Sequence, residues 1–515
     1  MKSQIKSGIV LSYVFMAISM VAGLLYTPKM LELLGQSEYG LYTIATSVIG
    51  YLTFLNLGLE SALIKYSARY IAEGDTEGER RLGGSFFKLY TALGTIALVC
   101  GVFVALTLDP GMPFGFLTSK LTPAETETLK GLLLLMTANL ALSFPLGVYG
   151  AVITAHEKFT FRKVISIIRE ISMPIVVLVV LFMGHKSFAL VLIHVLFNVA
   201  VLLSDYIYAR KVLGYKVKFG KMDRVVFKEI VNYSVFIFIG MVVDRISDAT
   251  NSLVLGAVSG TVATAVYGIA VQINHYYLNF SASIGSFFFP RIVSMSVKEA
   301  SDRELSNLFI KVGRVQLFVI SLICSGFMVF GRDFVRMWAG EQYAFAYYMI
   351  VIMMIPTLIS RSQSLGTQIL LAKNKHKFRA IFYLVVVLAD IAVSIPLAMW
   401  FGQYSPAAAG IGAALGTALA TLVGPVIVMN IYYKKVMHLD IGGYFRSTVP
   451  ILLEVAVLTV LGFAMNTFWV VDGWLILGAQ IVIYLIVFLL AIYFISFNAY
   501  EKSLVQGIVK KLKRQ

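Results

Sequence analysis

The sequence predicts an all-α polytopic membrane protein with about 14 transmembrane helices. Hydrophobic residues make up 59% of the 515 and charged ones 14%, where a soluble domain carries about 25% charge. Mean hydropathy is +0.83. Apolar runs of about 20 residues recur from end to end, each long enough to cross roughly 30 Å of hydrocarbon. The short alternating strands of a transmembrane barrel do not occur in the pattern.

The first run, MKSQIKSGIVLSYVFMAISMVAG, is too long for a signal peptide and lacks a small-x-small cleavage site, so it reads as a retained span. Spans are expected at 8–30, 41–66, 85–107, 129–153, 164–183, 187–209, 229–257, 262–289, 308–330, 345–371, 379–400, 407–433, 447–469 and 474–496. Basic residues test this series, because they concentrate in cytoplasmic loops. With both termini cytoplasmic, 34 of the 43 Lys and Arg fall on the cytoplasmic side and six on the outer side. The remaining three, Arg169, Arg245 and Arg361, lie inside spans. Reading 244–252 as a loop would turn every later basic loop outward. The charges in GMVVDRISDATNSL (240–253) therefore sit at membrane depth. The net charge of +16 is spread over short inter-span loops and points to no nucleic acid partner.

SEYGLYTIATSVIGYL (37–52) parallels AVYGIAVQINHYYL (265–278), matching Tyr39-Gly40 to Tyr267-Gly268. The offset suggests two six-span lobes related by an axis along the membrane normal. The expected organisation is an N-lobe over 1–210, a basic cytoplasmic linker over 211–228 and a C-lobe over 229–433. Additional spans cover 447–496, and a basic tail over 497–515 follows. That tail fits either an amphipath on an anionic membrane surface or a frayed terminus.

A charge at the bilayer centre costs at least about 2.5–3.5 kcal/mol, so each needs a partner or a wet cavity. Asp244 and Asp248 share a helix face, Arg245 and Asp248 can pair, and Asn251 continues the stripe. Two arrangements fit: a central cavity, or an internal Arg–Asp pair locking two helices. Arg361, amid Ser360, Ser362 and Gln363, and Arg169 add cationic groups. Guanidinium groups stay charged and grip phosphate bidentately. Arg245, Arg361, Asp248, Asn251 and Arg169 are thus candidate substrate contacts. Asp244, Asp248, Glu60 and Asp390 are candidates for coupling to H⁺ or Na⁺; Asp390 and Glu170 also fit simple hydrogen bonding to a neighbouring helix. His194 and His275 read as packed neutral residues. Pro356 is the expected functional kink, and AAAGIGAALGTALATLVG (407–424) reads as a tight helix-packing face. Cys100 and Cys324 read as buried small hydrophobes rather than a disulfide or metal site. The sequence shows no P-loop, HExxH or dinucleotide motif, so no resident cofactor and no enzymatic role are expected.

YTPKMLELLGQSEYGLY (26–42), LNLGLESALIKYSARY (55–70) and AGIGAALGTALATLV (409–423) resemble the polysaccharide-transporter family of Wzx-type oligosaccharide flippases. Its superfamily also holds multidrug MATE exporters and the lipid II flippase. The resemblance implies translocation of undecaprenyl-pyrophosphate-linked oligosaccharide across the cytoplasmic membrane by alternating access, for cell-surface polysaccharide synthesis. It implies lipid-linked oligosaccharide and membrane lipids as partners, along with a glycan polymerase or glycosyltransferases of the same pathway. Arg245 and Arg361 would then be candidate pyrophosphate or acidic-sugar contacts. A MATE-type cation antiporter and a lipid II flippase are the alternatives. An integral-membrane polymerase or ligase is a third, but the longest outer loop, 108–128, carries no Arg or His.

Overall fold

The computed structural model describes residues 2–56, 58–220, 224–286, 295, 301–373, 376–499 and 501–503. Every regular element among them is helical. In chain order these are α1 (Lys2–Leu34), α2 (Gln36–Leu52), α3 (Leu59–Glu73), α4 (Thr76–Leu106), α5 (Pro123–Ala155), α6 (Phe159–Phe182), α7 (Ser187–Lys211) and α8 (Arg224–Ser286). They continue with α9 (Asp302–Ala339), α10 (Ala346–Ser362), α11 (Ser364–Ala372), α12 (His376–Gly402), α13 (Ala409–Thr421), α14 (Met429–Lys435), α15 (Ile441–Phe468) and α16 (Trp474–Ala491).

Length and hydropathy qualify 12 helices among the described residues as membrane spans, or 13 with the bent pair α10–α11. The expected 14 is therefore not reached. The sequence divides α8 into two spans, and the backbone likewise forms two helices on either side of Gly260, which has φ 81 and ψ −166. Only glycine holds that conformation readily, and it falls between the expected seventh and eighth spans.

Local chemistry fixes the helix starts. Thr122 and Glu125 form a capping box before Pro123 opens α5, and Ser301 with Glu304 does the same for α9. Asp75 caps α4 through the Gly78 amide, and Asp440 caps α15 through Gly443. Pro425 removes a backbone donor, and the turn around it widens to a π-helix over Leu422–Val428.

The chain forms two compact units, one of Met1–Gly268 with Gly402–Ala409, the other of Ile269–Phe401 with Gly410–Gln515. In the first, α4 packs along α5, α1 along α6 and α5 along α7. A cluster including Leu63, Tyr66, Phe86, Tyr90, Val148 and Ile153 fills the space among α3, α4 and α5. The segment after α7 straps onto the start of α4: Lys218 N donates to the Arg80 carbonyl at 3.1 Å, and Tyr215 donates to the Glu79 carbonyl at 3.3 Å. Burial pushes the Tyr215 hydroxyl well above its ordinary pKa, so it stays a donor. In the second unit α9 is central, packed by α10, α15 and α16.

Two expectations need correction. Cys324 is buried, but Cys100 is exposed. It sits on a surface of α4 shared with the exposed apolar side chains Val99 and Phe103. The bend expected at Pro356 lies seven residues later. α10 continues through Pro356 and breaks at Gln363, with α11 turning by 49°.

Candidate functional site

The acidic–basic stretch of α8 is helical throughout, and the side chains of Asp244, Arg245 and Asp248 lie outside the described residues. Asn251, one turn on, is fully buried and donates to the Tyr267 hydroxyl at 3.3 Å. Its neighbour Thr250 shares a short hydrogen bond with Tyr51 of α2.

The first unit places Arg169 in the interior of α6, partly buried. Its charge acts on Tyr42 of α2 and His194 of α7. The imidazole stands edge-on to the Tyr42 ring, centroids 6.1 Å apart at 80°. Consecutive helix residues point about 100° apart. Glu170 accordingly turns away from Arg169 and accepts from Ser19 of α1 at 2.6 Å. Tyr26 of α1 lies within electrostatic range of Tyr42 and Tyr39.

Glu60 does not lie in mid-helix. The second span breaks at a 3₁₀ turn, Thr53–Asn56, and resumes at Leu59 after Gly58 in the left-handed region, φ 70. Glu60 is therefore in the first turn of α3, exposed, where a helix N-terminus favours negative charge. Asn56 in the break accepts from Tyr90 at 3.2 Å.

The second unit places Arg361 in the last turn of α10, two residues before the break at Gln363. A lattice of side-chain hydrogen bonds surrounds the break. Gln363 and Asn430 exchange amide hydrogen bonds of 2.9 and 3.0 Å, and Asn430 also donates to the Val426 carbonyl at 2.6 Å. Ser362 pairs with Tyr444 at 2.5 Å, and Gln316 donates to Ser364 at 2.7 Å. The field of Arg361 reaches Tyr277. Non-helical backbone at membrane depth persists only where protein or water satisfies it. Asp390 is a different case: it is buried, accepting from Ser394 at 2.8 Å and Thr417 at 3.5 Å across α12 and α13.

Tyr42 and His194 were not read as partners of Arg169 from sequence. His194 is the single histidine of its span, Tyr42 is one of several tyrosines in its own, and no spacing links α2, α6 and α7. Among the described residues no group of three His, Cys, Asp or Glu could hold a metal ion.

Long apolar helices, two of them broken at polar residues, define a multi-pass α-helical membrane protein. Residues 5–296 match the family described as polysaccharide biosynthesis protein, and the chain belongs to that family. Its fold is shared with solved transporters, one of them described as belonging to the MOP superfamily. The lipid II flippase MurJ in an inward closed conformation superposes with a TM-score of 0.72 at 15% identity, covering 96% of this chain and 100% of that one. An inward-facing multidrug resistance MATE transporter gives 0.59 at 14% identity, covering 83% and 99%. A MOP transporter from Pyrococcus furiosus, with a binding pocket of reverse polarity, gives 0.55 at 13%, covering 82% and 94%. No curated protein matches the sequence significantly.

Proposed function

We propose that this protein is a flippase for polyprenyl-pyrophosphate-linked oligosaccharide in the cytoplasmic membrane, with both termini cytoplasmic. The observation that carries the reading is the polysaccharide-biosynthesis family match on a chain with the MOP fold. The lobes 1–210 and 229–433 would alternate access, and the protein itself would make or break no covalent bond. The intramembrane arginines support an anionic substrate, since guanidinium groups satisfy phosphate bidentately. The driving force would be an ion gradient, with Asp244, Asp248, Glu60 and Asp390 the carboxylates available to it, or the glycan gradient itself.

The test is movement of a fluorescent lipid-linked oligosaccharide in vesicles containing the purified protein, with and without H⁺ or Na⁺ gradients. No movement under any gradient would sink the proposal. Arg361→Ala is expected to abolish movement at normal protein level while Arg361→Lys keeps part of it; Arg245 is tested the same way. The overall superposition on MurJ supports lipid II as a second substrate reading. Rescue of cells depleted of their lipid II flippase separates the two.

A further inference from the structure

The connection between α4 and α5, LDPGMPFGFLTSK (108–120), is held in shape by its own hydrogen bonds. The amides of Met112, Phe114, Gly115 and Leu117 donate to the carbonyls of Asp109, Thr107, Met112 and Phe114 at 3.0–3.1 Å. Pro110 and Pro113 have no amide hydrogen to satisfy. The Thr118 hydroxyl donates to the Leu108 carbonyl at 2.5 Å. Gly115 lets the loop close on itself, since a Cβ there would lie 2.4 Å from the Asp109 carbonyl oxygen. One edge is tied to the protein: Lys130 of α5 holds Asp109 at 2.7 Å, and Ser119 donates to the Ala257 carbonyl of α8 at 2.9 Å.

The other edge is apolar and open. Met112 and Phe116 are each more than half exposed. The Phe116 ring lies 6.2 Å from that of Phe114, and Phe114 stands edge-on to Phe103 of α4 at 6.2 Å. Phe103 belongs to an exposed apolar stripe of α4 with Ile96, Val99 and Leu106, spaced three and four apart on one helix face. That face lies in a membrane span, so lipid covers it. The uncharged part of α4, 89–106, begins just after Lys88. It rises about 27 Å, close to the roughly 30 Å of a hydrocarbon core. Phe103 and Leu106 therefore stand at the edge of the hydrocarbon, and the Phe114–Phe116 pair continues their surface past it. Irregular backbone does not survive exposed to hydrocarbon, but a segment at headgroup level can dip apolar side chains inward.

We infer that 108–120 is an in-plane membrane anchor: its backbone lies among the lipid headgroups, and Met112 and Phe116 insert beside Phe103 into the ends of the lipid chains. The partner is the bilayer itself, because the open edge of the loop continues a lipid-covered helix face. The anchor sets the depth of the α4–α5 end in the membrane, whatever the protein carries across it.

The experiment places the full chain, with Cys100→Ala and Cys324→Ala, in phosphatidylcholine nanodiscs, whose two faces are both open to reagents. Some of the lipids carry a nitroxide quencher on the headgroup. Met112→Cys and Phe116→Cys are compared with Phe103→Cys on the lipid-facing stripe and with Glu127→Cys, exposed on α5. A fluorophore on Met112→Cys or Phe116→Cys should lose emission to the nitroxide lipid, while one on Glu127→Cys keeps it. Unlabelled, both loop thiols should react with a membrane-impermeant maleimide about tenfold more slowly than Glu127→Cys, the factor that about 1.4 kcal/mol of apolar burial gives.

Emission kept together with labelling as fast as at Glu127→Cys puts the loop in water and overturns the anchor. Emission kept together with slow labelling means that protein, not lipid, covers the tip, and overturns it as well. Each variant is melted beside its parent. Met112 and Phe116 are read independently, so the loss of one variant to misfolding leaves the other to decide.

Discussion

Arg314 and Glu501, 187 residues apart, form a buried two-pronged ion pair: Arg314 Nε donates to one carboxylate oxygen at 2.7 Å and Nη2 to the other at 3.0 Å. The guanidinium also donates to the Ser496 carbonyl at 2.8 Å and to the Ser447 carbonyl. One side chain of α9 therefore ties down α15 and the chain after α16. Removing one partner of such a pair leaves a buried charge and costs about 3–5 kcal/mol. Glu501→Leu should lower thermal stability in detergent by that order, and Arg314→Leu with Glu501→Leu should cost less than the two single changes together. A Glu501→Leu protein that melts like wild type would show the pair to be dispensable.

The stretch read as a packing face makes a second prediction. A Cβ on Gly412 would lie 2.3 Å from the Leu397 carbonyl carbon, and one on Gly416 would lie 2.0 Å from Ser394 Oγ. These glycines, four apart, let α13 lie against the backbone of α12, as small-xxx-small pairs do in membranes. Gly412 meets backbone at 2.3–2.4 Å, which cannot turn aside, whereas the contact closest to Gly416 is a hydroxyl that can rotate, with backbone no nearer than 3.0 Å. Gly412→Ala should therefore destabilise more than Gly416→Ala, by about 1–3 kcal/mol of overpacking. Melting curves of the two variants decide the order.

Asp390 connects the same two helices. In Asp390→Ala both Ser394 and Thr417 lose this acceptor, Ser394 keeping only a long bond of 3.4 Å to the Ala413 carbonyl. Such buried donors cost about 1–3 kcal/mol when left unsatisfied. Asp390→Ala should lose that much stability, and Asp390→Asn, which keeps an acceptor oxygen, should lose less. Equal losses would point to the charge rather than the hydrogen bonds.

What was legible in the sequence follows from what each feature depends on. Spans depend on local hydropathy, and each of the fourteen apolar runs is mostly helical over its described residues, the second and tenth being broken. The α8 break was legible because one glycine separates two runs. The break in the second span was not. Glu60, near Asn56, reads as a polar residue inside a helix, because the stretch is long enough to cross in one piece. The break at Gln363 was hidden for another reason: Pro356 is the stronger helix breaker locally, yet the Gln363–Asn430 amide pair, 67 residues apart, supports the bend elsewhere. Sites assembled from several spans, such as Arg169 with Tyr42 and His194, leave no spacing to read.

Glu125 joins three helices through one carboxylate. One oxygen accepts from the Thr122 amide at 2.8 Å and the Thr122 hydroxyl at 3.0 Å, completing the α5 cap. The other accepts from Ser37 in the first turn of α2, and from Thr261 at 3.2 Å, just past the Gly260 break in α8. Close packing lies behind this joint, for a Cβ on Gly40 would fall 2.2 Å from the Thr261 carbonyl oxygen. Hydrogen bonds to a charged acceptor contribute about 1.5–3 kcal/mol each, so Glu125 holds α2 and α8 together at this end. Thr264, fully buried beneath the joint, reports its opening when changed to Cys. The native Cys100, exposed, and Cys324 are first replaced by Ala. Glu125→Ala should raise the labelling rate of Thr264→Cys by a membrane-impermeant maleimide about tenfold or more, the effect of one lost charged bond. Thr122→Ala weakens the α5 cap but leaves the Ser37 and Thr261 bonds in place, so it should label at the parent rate. If both variants label alike, the effect is fraying of α5, and Glu125 is a helix cap rather than a latch.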